Sequence, residues 1–180
     1  MVGSAPYDEA VVKYNLVARI VHWVIAVAII TEIVLGLGSD AFRDTFPVMP
    51  IHKAIGMTVL VLSLFRLYWR ISHPAPPLPA SMPRWQVGLA HALHWLFYIM
   101  IIAVPLSGWI FSSAGKYPLE WFGLFDIPKL PVMKGSPLAE AAHAGHELMG
   151  KLFIPLILVH VGAALFHQFV QKDGVLRRML

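Results

Sequence analysis

Nine of the 180 residues are histidine and none is cysteine. Imidazole ligates metals and, titrating near neutrality, passes protons. A chain without thiols has no thiolate metal site and no disulfide. The spacing of the histidines narrows the chemistry further. His146 and His160 are fourteen residues apart, which on a helix is about 1400° of rotation, within about 40° of four full turns, and about 21 Å of rise. Both rings therefore point to one helix face at two levels. His22 and His52 stand near the ends of two earlier apolar segments. There is no His-Glu-x-x-His motif, and no carboxylate joins a histidine pair at ligand spacing, which disfavours a single ion held by clustered side chains.

The segments that must position these rings have an unusual composition. The chain is 58% hydrophobic and 13% charged, with a mean hydropathy of +0.68, whereas an ordinary soluble domain has about 25% charged residues. This excludes a soluble globule, a disordered chain, a nucleic-acid binder and a disulfide scaffold. A helix crosses a hydrocarbon core of roughly 30 Å with about 20 mainly apolar residues. Four stretches qualify, at about 17–38, 52–70, 87–112 and 147–171. Lipid offers the backbone no hydrogen bonds, so these spans are helices. The expected fold is one all-α domain over residues 1–180, an integral membrane four-helix bundle. Residues 1–15 are polar and predict no cleaved leader.

The connections alternate in character. Pro74, Pro76, Pro77, Pro79 and Pro83 make the second link stiff, and the aromatics in 117–125 suit a membrane surface. Ser136 followed by Pro137 reads as an N-cap and first helical residue, so the last helix should begin near Pro137 and project beyond the lipid. Pro105 and Pro155 should kink the third and fourth helices. Lys13, Arg19, Arg66, Arg70, Arg84, Lys172, Arg177 and Arg178 lie on the side of the termini; Arg43, Lys53, Lys116, Lys129, Lys134 and Lys151 lie opposite. That bias puts both termini in the cytoplasm.

With the spans in place, the histidines fall at matched depths. His22 and His160 belong to the cytoplasmic half, His52 and His146 to the opposite side. Two cross-helix pairs stacked in a four-helix bundle suit two bis-histidine haems, because bundle cores hold cofactors between facing helices. Two imidazoles on haem iron leave no open position for oxygen activation, so such a protein carries electrons. Gly56, Gly150 and Gly162-Ala163-Ala164 leave room for a flat macrocycle, although close helix packing also selects small residues.

Other groups have less defined tasks. His91 and His94 lie one turn apart near the depth of His22. His94 is the rival ligand at the cytoplasmic level, and the pair suits a haem-propionate or quinone contact as well as a plain interfacial role. His167, seven residues after His160, is placed to exchange a proton with a reduced quinone. His73 and His143 read as loop or surface residues. Arg19, Arg70 and Lys151 stand at the rims where propionates would emerge, with snorkelling the alternative and the preferred reading for Arg70. Arg66 reads as snorkelling from its span. Glu32, inside the first span, reads as a proton relay or as a carboxylate reaching the opposite interface.

The stretches Ala18-Arg19-Ile20-Val21-His22-Trp23, Ile51-His52-Lys53-Ala54-Ile55-Gly56, Gly88-Leu89-Ala90-His91-Ala92-Leu93-His94, Gly145-His146-Glu147 and Val159-His160-Val161-Gly162-Ala163-Ala164-Leu165-Phe166-His167 resemble the bacterial cytochrome b561 family of four-helix di-haem membrane proteins. They occur in the family's order and cover essentially the whole chain. The resemblance implies two haem b groups, held by His22 with His160 and by His52 with His146. It also implies exchange of electrons between an outer-surface partner and membrane quinone. Some members are superoxide oxidases that pass the electron from superoxide to ubiquinone, and His167 matches a position associated with the quinone end.

The expected protein is thus a multi-pass superoxide:quinone oxidoreductase of the bacterial inner membrane, with lipid, quinone and superoxide or another small periplasmic donor as partners. Lys53, Lys116, Lys129, Lys134 and Lys151 could form a local positive patch for an anion. The alternative is a haem-b membrane anchor and electron relay for a separate periplasmic dehydrogenase or hydrogenase, docked on residues 116–145. A proton or solute transporter would require paired broken helices, which the sequence does not suggest.

Overall fold

Asn15 opens the first helix, α1 (Leu16–Leu37), by accepting a hydrogen bond from the Ala18 amide at 2.9 Å. Such a cap is worth about 1 kcal/mol over alanine. The computed structural model describes residues 11–42 and 44–180. Arg43, counted above toward orientation, and most of the polar start lie outside the described residues. Ile20, Val24, Val27, Ile30, Val34 and Leu37 are exposed along α1, and their spacing of three to four residues makes one apolar stripe. A soluble helix would hide that stripe; a membrane helix turns it to lipid.

A four-residue turn, α2 (Ser39–Phe42), leads to α3 (Val48–Ser72) and, after the proline link, to α4 (Arg84–Ser113). The last long helix is α5 (Pro137–Phe166). Ser136 caps it by accepting from the Ala139 amide at 3.3 Å, so α5 starts ahead of its apolar span, as the Ser-Pro pair predicts. Pro105 and Pro155 lie inside α4 and α5, each removing one backbone donor. His143 is exposed and lies on α5, stacked on Phe111 at 4.2 Å. His73 ends α3, stacked on Trp69 at 3.9 Å. The four long helices α1, α3, α4 and α5 are long and apolar enough to cross a membrane.

The helices pack in sequence, α1 on α3, α3 on α4 and α4 on α5, and α5 makes no comparable backbone approach to α1 or α3. Met100, Ile101 and Phe153 form a buried cluster, joined from α1 by Ile29 and Ile33. Phe153 is seven residues from both His146 and His160. An apolar plug therefore separates the two histidine levels.

One end of the bundle gathers the chain termini and the proline link. Arg178, only 5% exposed, donates to the carbonyls of Pro76 and Pro77 at 2.7 Å each. Its own carbonyl accepts from the Tyr14 amide at 3.1 Å. Trp23 Nε1 donates to the Met179 carbonyl at 2.8 Å, and Arg19 donates to that of Leu180. After α5 the chain widens into a π turn, His167–Gln171. It reverses through Lys172 and Gly174, both at positive φ. A Cβ on Gly174 would stand 2.8 Å from Val11 Cγ2, so glycine is required there by both conformation and space.

The opposite, loop end carries a feature the all-helical reading does not include, a two-stranded hairpin. Here β1 (Glu120–Trp121) pairs antiparallel with β2 (Phe125–Asp126), in the register Glu120 to Asp126 and Trp121 to Phe125. Trp121 stacks on Phe125 and donates through Nε1 to Thr58 Oγ1 at 2.9 Å, which pins the hairpin to α3.

Candidate functional site

At the level nearer the termini, α1 and α5 carry His22 and His160. Their ring centres are 6.2 Å apart with planes at 66°. At the loop end, α3 and α5 carry His52 and His146, 6.0 Å apart with planes at 90°. With a metal–nitrogen bond of about 2 Å on each side and about 1 Å from nitrogen to ring centre, two imidazoles on one metal stand about 6 Å apart. Both pairs match that separation. Both also bridge helices whose backbones do not pack together, which leaves breadth for a macrocycle between them. A Cβ on Gly150 or Gly162 would meet no atom within 4 Å, as a site for a wide flat group requires. The residues present therefore fit haem at two levels.

The two levels differ in what holds the rings. His146 Nδ1 lies 2.9 Å from the Val104 carbonyl, with Ser107 Oγ at 3.4 Å. A carbonyl can only accept, so Nδ1 carries the proton and Nε2 presents its lone pair. Gly108 faces this ring so closely that a Cβ would lie 3.0 Å from His146 Cε1. His52 Nδ1 lies 2.9 Å from Glu32 Oε2. Glu32, read above as a relay or an interface carboxylate, faces the histidine of the neighbouring helix. Among the described residues, neither His22 nor His160 has a comparable acceptor. They are surrounded by rings instead: His94 is 6.0 Å and Phe97 5.0 Å from His160. Distance alone does not choose between His22 and His94. The two differ in helix packing: α4 lies directly against α5 whereas α1 does not.

Other expected site residues have different surroundings. His167 Nδ1 contacts Asp173 Oδ2 at 2.6 Å, and Gln171 Nε2 donates to Gln86 Oε1 at 3.2 Å. Asp173 was not legible as a partner, since only the π turn and the reversal after it bring the two together. His91 is exposed on the first turns of α4. Arg19 is engaged with the Leu180 carbonyl, and Lys151 with Glu147 at 2.8 Å on an exposed helix face. Among the described residues, no contact brings either to a histidine pair. Arg66 does not simply snorkel: it donates to the Ala18 carbonyl at 2.9 Å and lies over the Tyr98 ring. With Lys13, Arg70 and His73 it lines a cavity of about 230 Å³ at the terminal end. At the loop end a cavity of about 660 Å³ is lined by Ile51, Lys53, Tyr117, Glu120 and Phe122. The expected lysine patch is partly committed: Lys129 donates to the Gly115 carbonyl, Lys151 pairs with Glu147 and Lys116 lies over Tyr117.

Comparison with known proteins gives these pairs a family. Residues 13–180 match the family model described as Prokaryotic cytochrome b561. The chain is 31% identical to Cytochrome b561 homolog 2 of Escherichia coli (strain K12), over 93% of this chain and 91% of that one. It is 32% identical to Probable superoxide oxidase CybB of Yersinia pestis, over 93% and 96%. With Cytochrome b562 of Cereibacter sphaeroides the identity is 27%, over 93% and 94%. Four lipid-capable helices, imidazoles paired at metal-bridging distance and a family match across nearly the whole chain converge: the protein belongs to the prokaryotic cytochrome b561 family of membrane haem proteins.

Proposed function

We propose that the chain is a di-haem superoxide:quinone oxidoreductase, with haem b held by His22 and His160 at one level and by His52 and His146 at the other. When bound, haem supplies one-electron redox chemistry at each level. The protein's residues supply spacing, insulation and access. His146 and His52 hold their Nδ1 protons toward Val104 and Glu32, which leaves Nε2 for iron. Phe153, Met100 and Ile101 keep water from the space between the levels. Two superoxide ions each lose one electron and leave as dioxygen; one ubiquinone takes both electrons and two protons to become ubiquinol.

The loop-end cavity, bordered by Ile51 and Lys53 on either side of His52 in the chain, supports entry of a small anion there. The His167–Asp173 pair supports quinone chemistry at the other end. A carboxylate accepting from Nδ1 leaves Nε2 as the nitrogen that exchanges a proton. His94 and His91 would border that site from α4. Placing the termini in the cytoplasm of a bacterial inner membrane rests on the lysine and arginine bias.

The observation that carries this reading is the pair of 6 Å imidazole contacts across helices that otherwise stand apart. The test is stopped-flow mixing of purified, haem-loaded protein with superoxide and a ubiquinone analogue. Haem reduction without any added protein, followed by stoichiometric quinol, is expected. Inertness toward superoxide until a periplasmic dehydrogenase or hydrogenase is added would favour the electron-relay alternative.

A further inference from the structure

We infer that Glu32 is a positioning residue for His52: its carboxylate orients the ring and makes it a more electron-rich ligand, so the His52 level has a lower midpoint potential than a neutral acceptor would give. The inference rests on the reading that His52 holds haem, and it adds a carboxylate from a different helix to that site.

Glu32 lies on α1 and His52 on α3, and their polar atoms meet at 2.9 Å with side chains only 16% and 18% exposed. The contact is a close approach that does not meet hydrogen-bond geometry: His52 Nδ1 and Glu32 Oε1 are both buried without a hydrogen-bond partner. A carboxylate at this depth in a membrane helix is expensive and needs a task. The surrounding residues are arranged around the pair. Gly36, one turn beyond Glu32, faces the His52 ring, where a Cβ would stand 3.5 Å from Cε1. Gly56, one turn beyond His52, faces the carboxylate, where a Cβ would stand 3.5 Å from Oε2. Each helix thus places a glycine opposite the other helix's functional side chain, and anything larger than alanine would push the pair apart.

The chemistry follows from the acceptor. A carboxylate takes only a donor, so Nδ1 bears the proton and Nε2 is left as the ligating atom. Hydrogen bonding to an ionised acceptor is stronger than to a neutral carbonyl, and it raises the basicity of a ligating imidazole. A more basic ligand, with a negative charge beside it, favours ferric over ferrous iron. His146, on the same level, has only the Val104 carbonyl as acceptor. Glu32 is therefore the source of the effect, and it acts at one level only.

The test is a spectroelectrochemical titration of the full haem-loaded chain in lipid nanodiscs, with haem content by pyridine haemochrome and ferric low-spin g-values by electron paramagnetic resonance. E32Q, which keeps the shape and removes the charge, should retain two haems and raise one midpoint potential. The rise should reach at least about 59 mV, a tenfold change in a one-electron reduction constant. The g-values of that haem should move and the other haem should be unchanged; E32D should return part of the shift. H52A identifies the affected haem by losing it. Two haems in E32Q with neither potential moved would overturn the inference while leaving His52 as a ligand. Retention of both haems in H52A would overturn the assignment of His52 itself. Should E32Q fail to accumulate, E32D is read in the same titration: a shift confined to the His52 haem supports the inference, and unmoved potentials overturn it.

Discussion

The two histidine levels have nearly the same ring separation and support it by different means. At the loop end each ring has a polar acceptor on a neighbouring helix, Val104 for His146 and Glu32 for His52, and glycines at 36, 56 and 108 give those rings and acceptors room. At the terminal end His22 and His160 lie among other rings, with His94 and Phe97 against His160. An acceptor facing Nδ1 sets a ring's tautomer and angle. Ring-packed ones are set by shape. The loop-end level thus has a carboxylate and a carbonyl beside its rings, and the terminal-end level lies toward the His167–Asp173 contact.

The largest expected effect breaks the comparison into its halves. His146→Ala should lower haem content from two to one per chain, and His160→Ala should remove the other haem; absorbance spectra of reduced protein would show which remains. Retention of both in either variant would exclude that ligand. At the terminal end His22→Ala should also lose one haem, whereas His94→Ala should keep two. The reverse result would make α4 the partner of α5. Asp173→Asn should leave both haems in place and slow quinone reduction by about 10- to 100-fold, with His167→Ala at the larger end; single-turnover oxidation of pre-reduced protein by a quinone measures this.

Two smaller effects sharpen the contrast. Gly108→Ala brings a methyl to 3.0 Å from the His146 ring. It should cost about 1 kcal/mol, roughly fivefold in haem affinity, at the loop-end level alone, readable by haem titration. Arg178→Ala removes two bonds from a buried guanidinium to the Pro76 and Pro77 carbonyls. It should lower the thermal midpoint by a few degrees, for about 2 kcal/mol, without changing haem content.

Most of the fold was legible because lipid is a demanding solvent. Apolar stretches of helical length have one stable form there, and Ser136-Pro137 marked a helix start that hydropathy alone would have put later. The placing of His146 and His160 at two levels of one helix was legible because 14 residues return a helix to nearly the same face. Glu32, by contrast, gave two readings and neither was a histidine partner. Its distance from His52 depends on how α1 and α3 cross, and nothing local encodes that. The hairpin at 120–126 was read only as surface aromatics, because two-residue strands leave no alternation to detect.

The sequence by itself determined the membrane-spanning helices, the two levels and the rings that could serve them, since periodicity and hydropathy act within one segment. Only the tertiary structure decided which groups stand behind those rings. It gave a carbonyl to His146, a carboxylate to His52 and an aspartate to His167, and it packed α4 against α5 while holding α1 off. Those choices depend on crossing geometry and on backbone reversals such as the π turn at His167–Gln171. They bring together atoms that are distant in the chain, and such proximity is a property of packing that no single segment carries.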